Sequence, residues 1–219
     1  MNPPTDLAAW RKAQRAELLA AREAIPLDVR RGRNETITHL LSAAFDLLAG
    51  ASIGFCWPFK GEPDTRFFLH EMRKRGSRTA LPVVVEKKQP LEFREWWPGA
   101  PTTPGVFDLP IPQGTEIMRP RALLVPPVGF DVQGYRLGYG GGFFDRTLAA
   151  ATPQPLKIAV AFEVSRMQTI YPQPYDVPMD FVVTEEGVAQ VVDGRLLAMP
   201  DLVQVRAIAA QMLRARAPG

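Results

Sequence analysis

Apolar positions recur along the chain in two rhythms, and their alternation outlines a fold. Over residues 6–24, Leu7, Trp10, Leu18 and Ala21 make the stripe of a helix, with Thr5 or Asp6 as N-cap and Pro26 beyond its end. A second helix is predicted over 28–49, capped by Asp28 and closed by Gly50. The period then changes. ASIGFCW (51–57) and RTALPVVV (78–85) are short, continuous apolar runs of the kind carried by strands covered on both faces, with a helix over 65–75 between them. RALLVP (121–126), KIAVAF (157–162) and DFVVT (180–184) repeat the signal, and a helix from Phe143 to about Ala151 separates the first two. LEFREWW reads as an edge strand, VAQVVDGRLL (188–197) as a hairpin turning on Asp-Gly, and Pro200 to Arg216 as a last helix. Helices alternating with buried strands predict an α/β protein, a three-layer α/β/α sandwich about a mostly parallel, Rossmann-like sheet. One domain is expected over 1–199, with 200–219 as a C-terminal helical extension.

Composition narrows the class. Ten of the 22 prolines fall from Pro82 to Pro127, which excludes a bundle of long helices, and the 46% apolar content excludes disorder. A lone Cys56 excludes an internal disulfide and a cysteine zinc site; His39 and His70 are assigned to structure. No apolar run approaches the ~20 residues of a membrane span and no signal-peptide core opens the chain, so a soluble cytoplasmic protein is expected, monomeric or weakly homo-oligomeric. The net charge of +3 is unevenly placed. Residues 1–33 and 195–219 each carry +3 and the centre −3, which is no uniform nucleic-acid footprint, and no nucleic-acid motif accompanies it.

The chemistry-bearing segment is GFDVQGYRLGYGGGFFDR, Gly129 to Arg146. Gly138, Gly140, Gly141 and Gly142 lie between a core strand and a helix start, at the strand's carboxyl end, where open α/β sheets bind ligands. Amides of such a turn, a helix N-terminus and the Arg136 guanidinium suit a phosphate; a Gly-rich surface turn is the plain alternative. Asp145, in the first helical turn, is either a dipole-stabilised acid or a magnesium ligand. Arg11, Arg15 and Arg22, at offsets of 4 and 7, share a face of the first helix with Lys12 beside them, fitting either a polyphosphate or a solvated surface. Glu62 follows the first strand, with Trp57 and Phe59 near it as walls for a flat ligand. Asp176 and Asp180 flank the fifth strand.

Pro126, Phe130, Asp131, Gly134, Arg136, Leu137, Gly138, Gly140, Gly142, Phe143, Phe144 and Asp145 stand in the register of the 5-formyltetrahydrofolate cyclo-ligase signature, and the chain resembles that family over about residues 8–195. The basic first helix, the Gly61–Thr65 loop and the Asp176–Phe181 stretch follow in family order. The resemblance implies ATP- and magnesium-dependent closure of 5-formyltetrahydrofolate to 5,10-methenyltetrahydrofolate, with ADP and phosphate released through a phosphorylated imidate. It implies that Arg11, Lys12 and Arg15 hold ATP phosphates, and that Arg136, Leu137 and the loop Gly138, Tyr139, Gly140, Gly141, Gly142 wrap the moving phosphoryl group, with Phe143 and Phe144 beside it. Arg136 and Asp145 would be catalytic, Asp145 and Asp180 would hold magnesium, and Trp57, Glu62, Tyr139, Gly140–Gly142 and Phe143 would line the folate pocket. The chain departs from common family residues at Arg11, at Phe143-Phe144 and at Tyr175-Asp176. A paralogue acting on another formamide or amide, or a nucleic-acid-binding protein on the same scaffold, is the competing reading.

Overall fold

In chain order the first elements are α1 (Leu7–Glu23), α2 (Leu27–Ala44), β1 (Ser52–Phe55), α3 (Arg66–Lys74), β2 (Arg78–Val83) and β3 (Glu92–Trp96). The strands β4 (Thr102–Pro104), β5 (Pro110–Pro112), β6 (Ile117–Met118), β7 (Ala122–Val125), β8 (Gly129–Asp131) and β9 (Arg136–Leu137) lead to α4 (Phe143–Ala150). The chain continues through β10 (Leu156–Val160), β11 (Arg166–Met167), β12 (Phe181–Thr184), β13 (Gly187–Val192) and β14 (Arg195–Ala198) into α5 (Leu202–Ala215). This computed structural model describes residues 3–105 and 108–217.

The five apolar runs pair in parallel as β12-β10-β7-β1-β2, at the centre of a nine-stranded sheet, because a strand with no polar face must be covered on both sides. Side chains alternate between two cores. Ile53, Phe55, Leu124, Ile158 and Phe181 meet Ile37 and Leu41 of α2, Phe68 and Met72 of α3, and Val205 and Ala209 of α5. Leu123, Val125, Ala159 and Val182 meet Phe130 of β8 and Leu148 of α4 on the other face. Gly54 belongs to that second face: a Cβ there would stand 2.5 Å from Leu123 Cδ2 and 2.7 Å from the Phe93 ring, so the β1 run needs glycine at this point.

Several expectations are corrected. The LEFREWW strand, β3, is not the edge, because β6 pairs outside it. Asp28 lies in the first turn of α2, behind an uncapping Pro26, and α2 ends at Ala44 before a separate 3₁₀ turn. The apolar stripe of α1 is only half-buried, and the one side chain of the helix that is buried is Arg22. α5 is part of the main core, since Val205 and Ala209 are fully covered; Pro218 and Gly219 of the expected extension lie outside the described residues. The Asp-Gly turn forms as read, with φ of 48° at Asp193 and 71° at Gly194 closing Val192 onto Arg195.

Connections set the location of chemistry. From β1 the chain crosses by α3 to β2 on one side, and from β7 it crosses by α4 to β10 on the other. The topological switch point therefore lies between β1 and β7, whose carboxyl ends open a crevice. α1 spans that edge. Leu18 lies within 2.6 Å of where a Gly129 Cβ would sit, and Trp10 packs edge-on against Tyr171 with ring centroids 5.0 Å apart.

Candidate active site

The loops leaving β1 and β7 converge on Arg22. Its Nε donates to the Lys60 carbonyl at 2.9 Å, Nη1 to the Pro127 carbonyl at 3.1 Å, and Nη2 to the Tyr139 hydroxyl at 2.8 Å. The Tyr139 hydroxyl in turn donates to Glu62 Oε1 at 2.6 Å, and the Phe59 amide donates to Glu62 Oε2 at 3.0 Å. Arg22 and Glu62 are both buried, 3.7 Å apart, while Tyr139 is 45% exposed and lies over them. Phe59 packs against Tyr139 with ring centroids 5.9 Å apart and the planes tilted by 50°. Trp57, expected beside Glu62, packs instead with Trp96 and beneath the Arg66 guanidinium. The aromatic neighbour in the crevice is Phe59.

Burial pushes the Glu62 carboxyl up to about 7, against the downward pull of the Tyr139 hydroxyl, the Arg22 charge and the Phe59 amide. The fold favours neutral Glu62, so its contribution is full below the ordinary value of 4.5 and is lost as pH rises through about 7. Wild-type stability relative to Glu62→Gln should thus fall by about 3 kcal/mol from pH 4.5 to 8. Denaturant melts of both proteins across that range check it; a pH-independent difference would contradict it.

Past Tyr139 the loop bends through Gly140 (φ 99°) and Gly142 (φ 63°), the latter being the N-cap of α4. Arg15 faces this loop, with Nε donating to the Gly138 carbonyl at 2.7 Å and its guanidinium 3.5–3.7 Å from the Cβ position of Gly140. Its terminal nitrogens have no protein acceptor among the described residues. Burial and then the neighbouring Arg11 charge lower the Arg15 pKa. Arg146 donates to the Gly141 carbonyl and lies over Phe143, closing the outer side of the loop.

The other expected residues divide. Arg136 is buried, and Nη1 donates to the Val177 carbonyl at 2.6 Å and Nη2 to Asp145 Oδ1 at 2.7 Å, so its terminal nitrogens hold Asp145 and the 176–179 segment. Burial lowers the Arg136 pKa, and Asp145 and Asp176 hold it up. Asp145 Oδ1 also accepts the Val177 amide, whereas Oδ2 has no hydrogen-bond donor among the described residues. Arg11 is spent on Ile170, Tyr171 and Asp176, and Lys12, one position round the helix, is exposed. Leu137 is fully buried and Phe144 packs into the second core, so both are structural.

Asp180 does not join Asp145. It precedes β12 at the amino end of the strands, where Oδ1 pairs with Arg216 at 3.0 Å and Lys157 at 3.4 Å. Oδ2 accepts from Arg216 at 2.6 Å and from the Lys157 amide at 2.8 Å. Both oxygens are committed to anchoring the end of α5, which leaves no open site for a metal. The residue that sequence reasoning left out of the site is Arg22. Its signal was the shared helix face with Arg11 and Arg15.

Residues 7–185 match the 5-formyltetrahydrofolate cyclo-ligase family. The chain belongs to that family. It is an enzyme of the cyclo-ligase class, and among curated relatives it is similar to the 5-formyltetrahydrofolate cyclo-ligase of Mycolicibacterium smegmatis, 33% identical over 180 residues that cover 78% of this chain and 91% of that one. The Escherichia coli K12 cyclo-ligase is 30% identical over 139 residues, covering 59% of this chain and 75% of its own. Among solved structures, the 5,10-methenyltetrahydrofolate synthetase of Aquifex aeolicus superposes with a TM-score of 0.73 at 27% identity, covering 87% of this chain and 97% of that one. The Mycoplasma pneumoniae synthetase, at 24% identity and TM-score 0.67, covers 80% of this chain and shares its fold. Among the described residues no helix is long and apolar enough to cross a membrane.

Proposed function

We propose that the chain converts 5-formyltetrahydrofolate to 5,10-methenyltetrahydrofolate at the β1/β7 crevice, with ATP as phosphoryl donor and magnesium bound at Asp145. The reading is carried by the 2.6 Å contact between Tyr139 and Glu62, which joins a buried acceptor carboxylate to the glycine loop. A pterin presents an amino-pyrimidine edge rich in N–H donors, which a carboxylate accepts, and Phe59, Tyr139 and Phe143 supply aromatic walls.

The reaction asks the protein for position and charge and for no nucleophile. The formyl oxygen attacks the γ-phosphorus and the bond to ADP breaks, giving a phosphorylated imidate. The N10 nitrogen then adds to the formyl carbon, its proton leaves, and the C–O bond breaks to release phosphate. Arg15, the amides of Gly138–Gly142 and the N-terminus of α4 stabilise the three phosphoryl oxygens, with Lys12 at the solvent side of the triphosphate. Arg136 and the Val177 amide fix the Asp145 carboxylate through Oδ1 and leave Oδ2 without a protein donor among the described residues. One protein carboxylate with phosphate and water oxygens suits magnesium, which would neutralise charge across the β- and γ-phosphates. Among the described residues no cluster of three metal-ligating side chains competes with that arrangement.

Purified protein mixed with 5-formyltetrahydrofolate and Mg-ATP should generate the methenyl absorbance in step with ADP. Turnover of ATP with other formamides and none with this folate would overturn the substrate assignment.

A further inference from the structure

Arg22 is the one charged side chain in α1 that is fully buried, and its hydrogen bonds go to two carbonyls and the Tyr139 hydroxyl. It is also the first donor of a directed chain, Arg22 Nη2 to the Tyr139 hydroxyl and that hydroxyl to Glu62 Oε1. We propose that Arg22 is a positioning residue of the folate site, fixing Tyr139 and Glu62 against each other so that the Glu62 carboxylate meets the substrate as an ionised, acceptor-only group. The proposal rests on the reading of Glu62 as the pterin acceptor. Arg22 does not reach the substrate; it acts through the other two.

Three features support this. The chain has one sense, because a guanidinium only donates and the hydroxyl that accepts from it is left with its proton to give to the carboxylate. The cation is anchored independently of Glu62 by the Lys60 and Pro127 carbonyls, which belong to the loops after β1 and β7, so its place is set by the same backbone that forms the crevice. Tyr139, half-exposed between Gly138 and Gly140, is the member through which the chain reaches the open crevice, while Arg22 lies buried behind it.

The groups around Glu62 are few. Arg22 comes from α1, Tyr139 from the glycine loop and the Phe59 amide from its own loop. The Cys56 thiol, at the end of β1, is pushed up by burial and then by Glu62. Arg30 of α2 stands 3.4 Å from the Cβ position of Gly61 and donates to the Glu23 and Ile25 carbonyls. Among the described residues Arg22 is the cation paired with the carboxylate, at 3.7 Å, and with burial opposing ionisation its charge acts beside the Tyr139 hydroxyl as a counterweight.

The test is the affinity for 5-formyltetrahydrofolate, measured by calorimetry without ATP from pH 5 to 9. Wild-type binding should strengthen as pH rises through a midpoint near 7. In Arg22→Gln the midpoint should move up by about one pH unit, weakening binding about fivefold at pH 7, approaching tenfold at pH 5 and recovering at higher pH. Arg22→Lys, which keeps the charge, should keep the midpoint. A loss in Arg22→Gln that is equal at every pH would reduce Arg22 to a structural tie and overturn the proposal. Should that variant not fold, Tyr139→Phe, at a half-exposed position, breaks the same chain and should also raise the midpoint; an unchanged midpoint there overturns it equally. Glu62→Gln separates the two levels. If it leaves folate affinity and its pH dependence intact, the site reading itself fails, whereas a weakened Glu62→Gln beside an unmoved Arg22→Gln midpoint sinks the Arg22 proposal alone.

Discussion

Replacing Asp145 with asparagine should lower turnover by about 10²–10³-fold while leaving a folded protein. Asparagine keeps an oxygen for the Val177 amide and for Arg136, so the local geometry survives. What disappears is the charge on the open side of the carboxylate, which faces the developing charge of phosphoryl transfer in the proposed mechanism. The cost to stability is that of weakening one charge-assisted hydrogen bond to a buried guanidinium, about 1–3 kcal/mol. Measuring kcat at 25 °C beside the melting temperature separates the two effects. Near-normal turnover would remove Asp145 from the chemistry. Arg136→Ala is the poorer probe, because it strands Asp145 and frees the 176–179 segment together.

Arg216→Ala should do the reverse, destabilising the protein with little effect on the chemical step. Arg216 places both terminal nitrogens on the buried Asp180 carboxylate and a further bond on the Pro155 carbonyl. Its loss leaves Asp180 with Lys157, whose own pKa is already lowered by burial and held up mainly by Asp180. Breaking such a buried network costs about 3 kcal/mol, which corresponds to a fall in Tm of about 6–12 °C for a chain of this size. At temperatures where the variant is folded, kcat should stay within about threefold of wild type. A selective loss of magnesium dependence in Arg216→Ala or Asp180→Asn would restore Asp180 as a metal ligand.

These two results bear on what could be read from the sequence. The five central strands were legible because burial on both faces writes an uninterrupted apolar run, and Gly54 sits within one of them where Leu123 and Phe93 close in. The three-stranded sheet β11-β8-β9 was not, since strands of two or three residues carry no period. The apolar stripe of α1 predicts a helix packed by that face, yet its buried side chain is Arg22, because the helix lies across the ends of the strands and not on the sheet. At the crevice, Arg15 bonds the Gly138 carbonyl and Tyr139 bonds Glu62, so the first helix, the loop after β1 and the glycine loop meet there. Asp180 and Arg136 show the limit. A sequence displays a charge but not what already occupies it, and the partners here lie 36 residues on at Arg216 and 9 residues on at Asp145. The same holds for the basic termini: Arg11, Arg206 and Arg216 are matched by Asp176, Asp46 and Asp180, so much of that charge is internal pairing.

The central claim is phosphoryl transfer from ATP to the formyl oxygen of the folate in the β1/β7 crevice. Its most direct test is turnover of 5-formyltetrahydrofolate labelled with ¹⁸O in the formyl group, with mass analysis of the phosphate released. One ¹⁸O is expected in each phosphate, formed in step with methenyl product; unlabelled phosphate alongside methenyl formation would rule out transfer to the formyl oxygen.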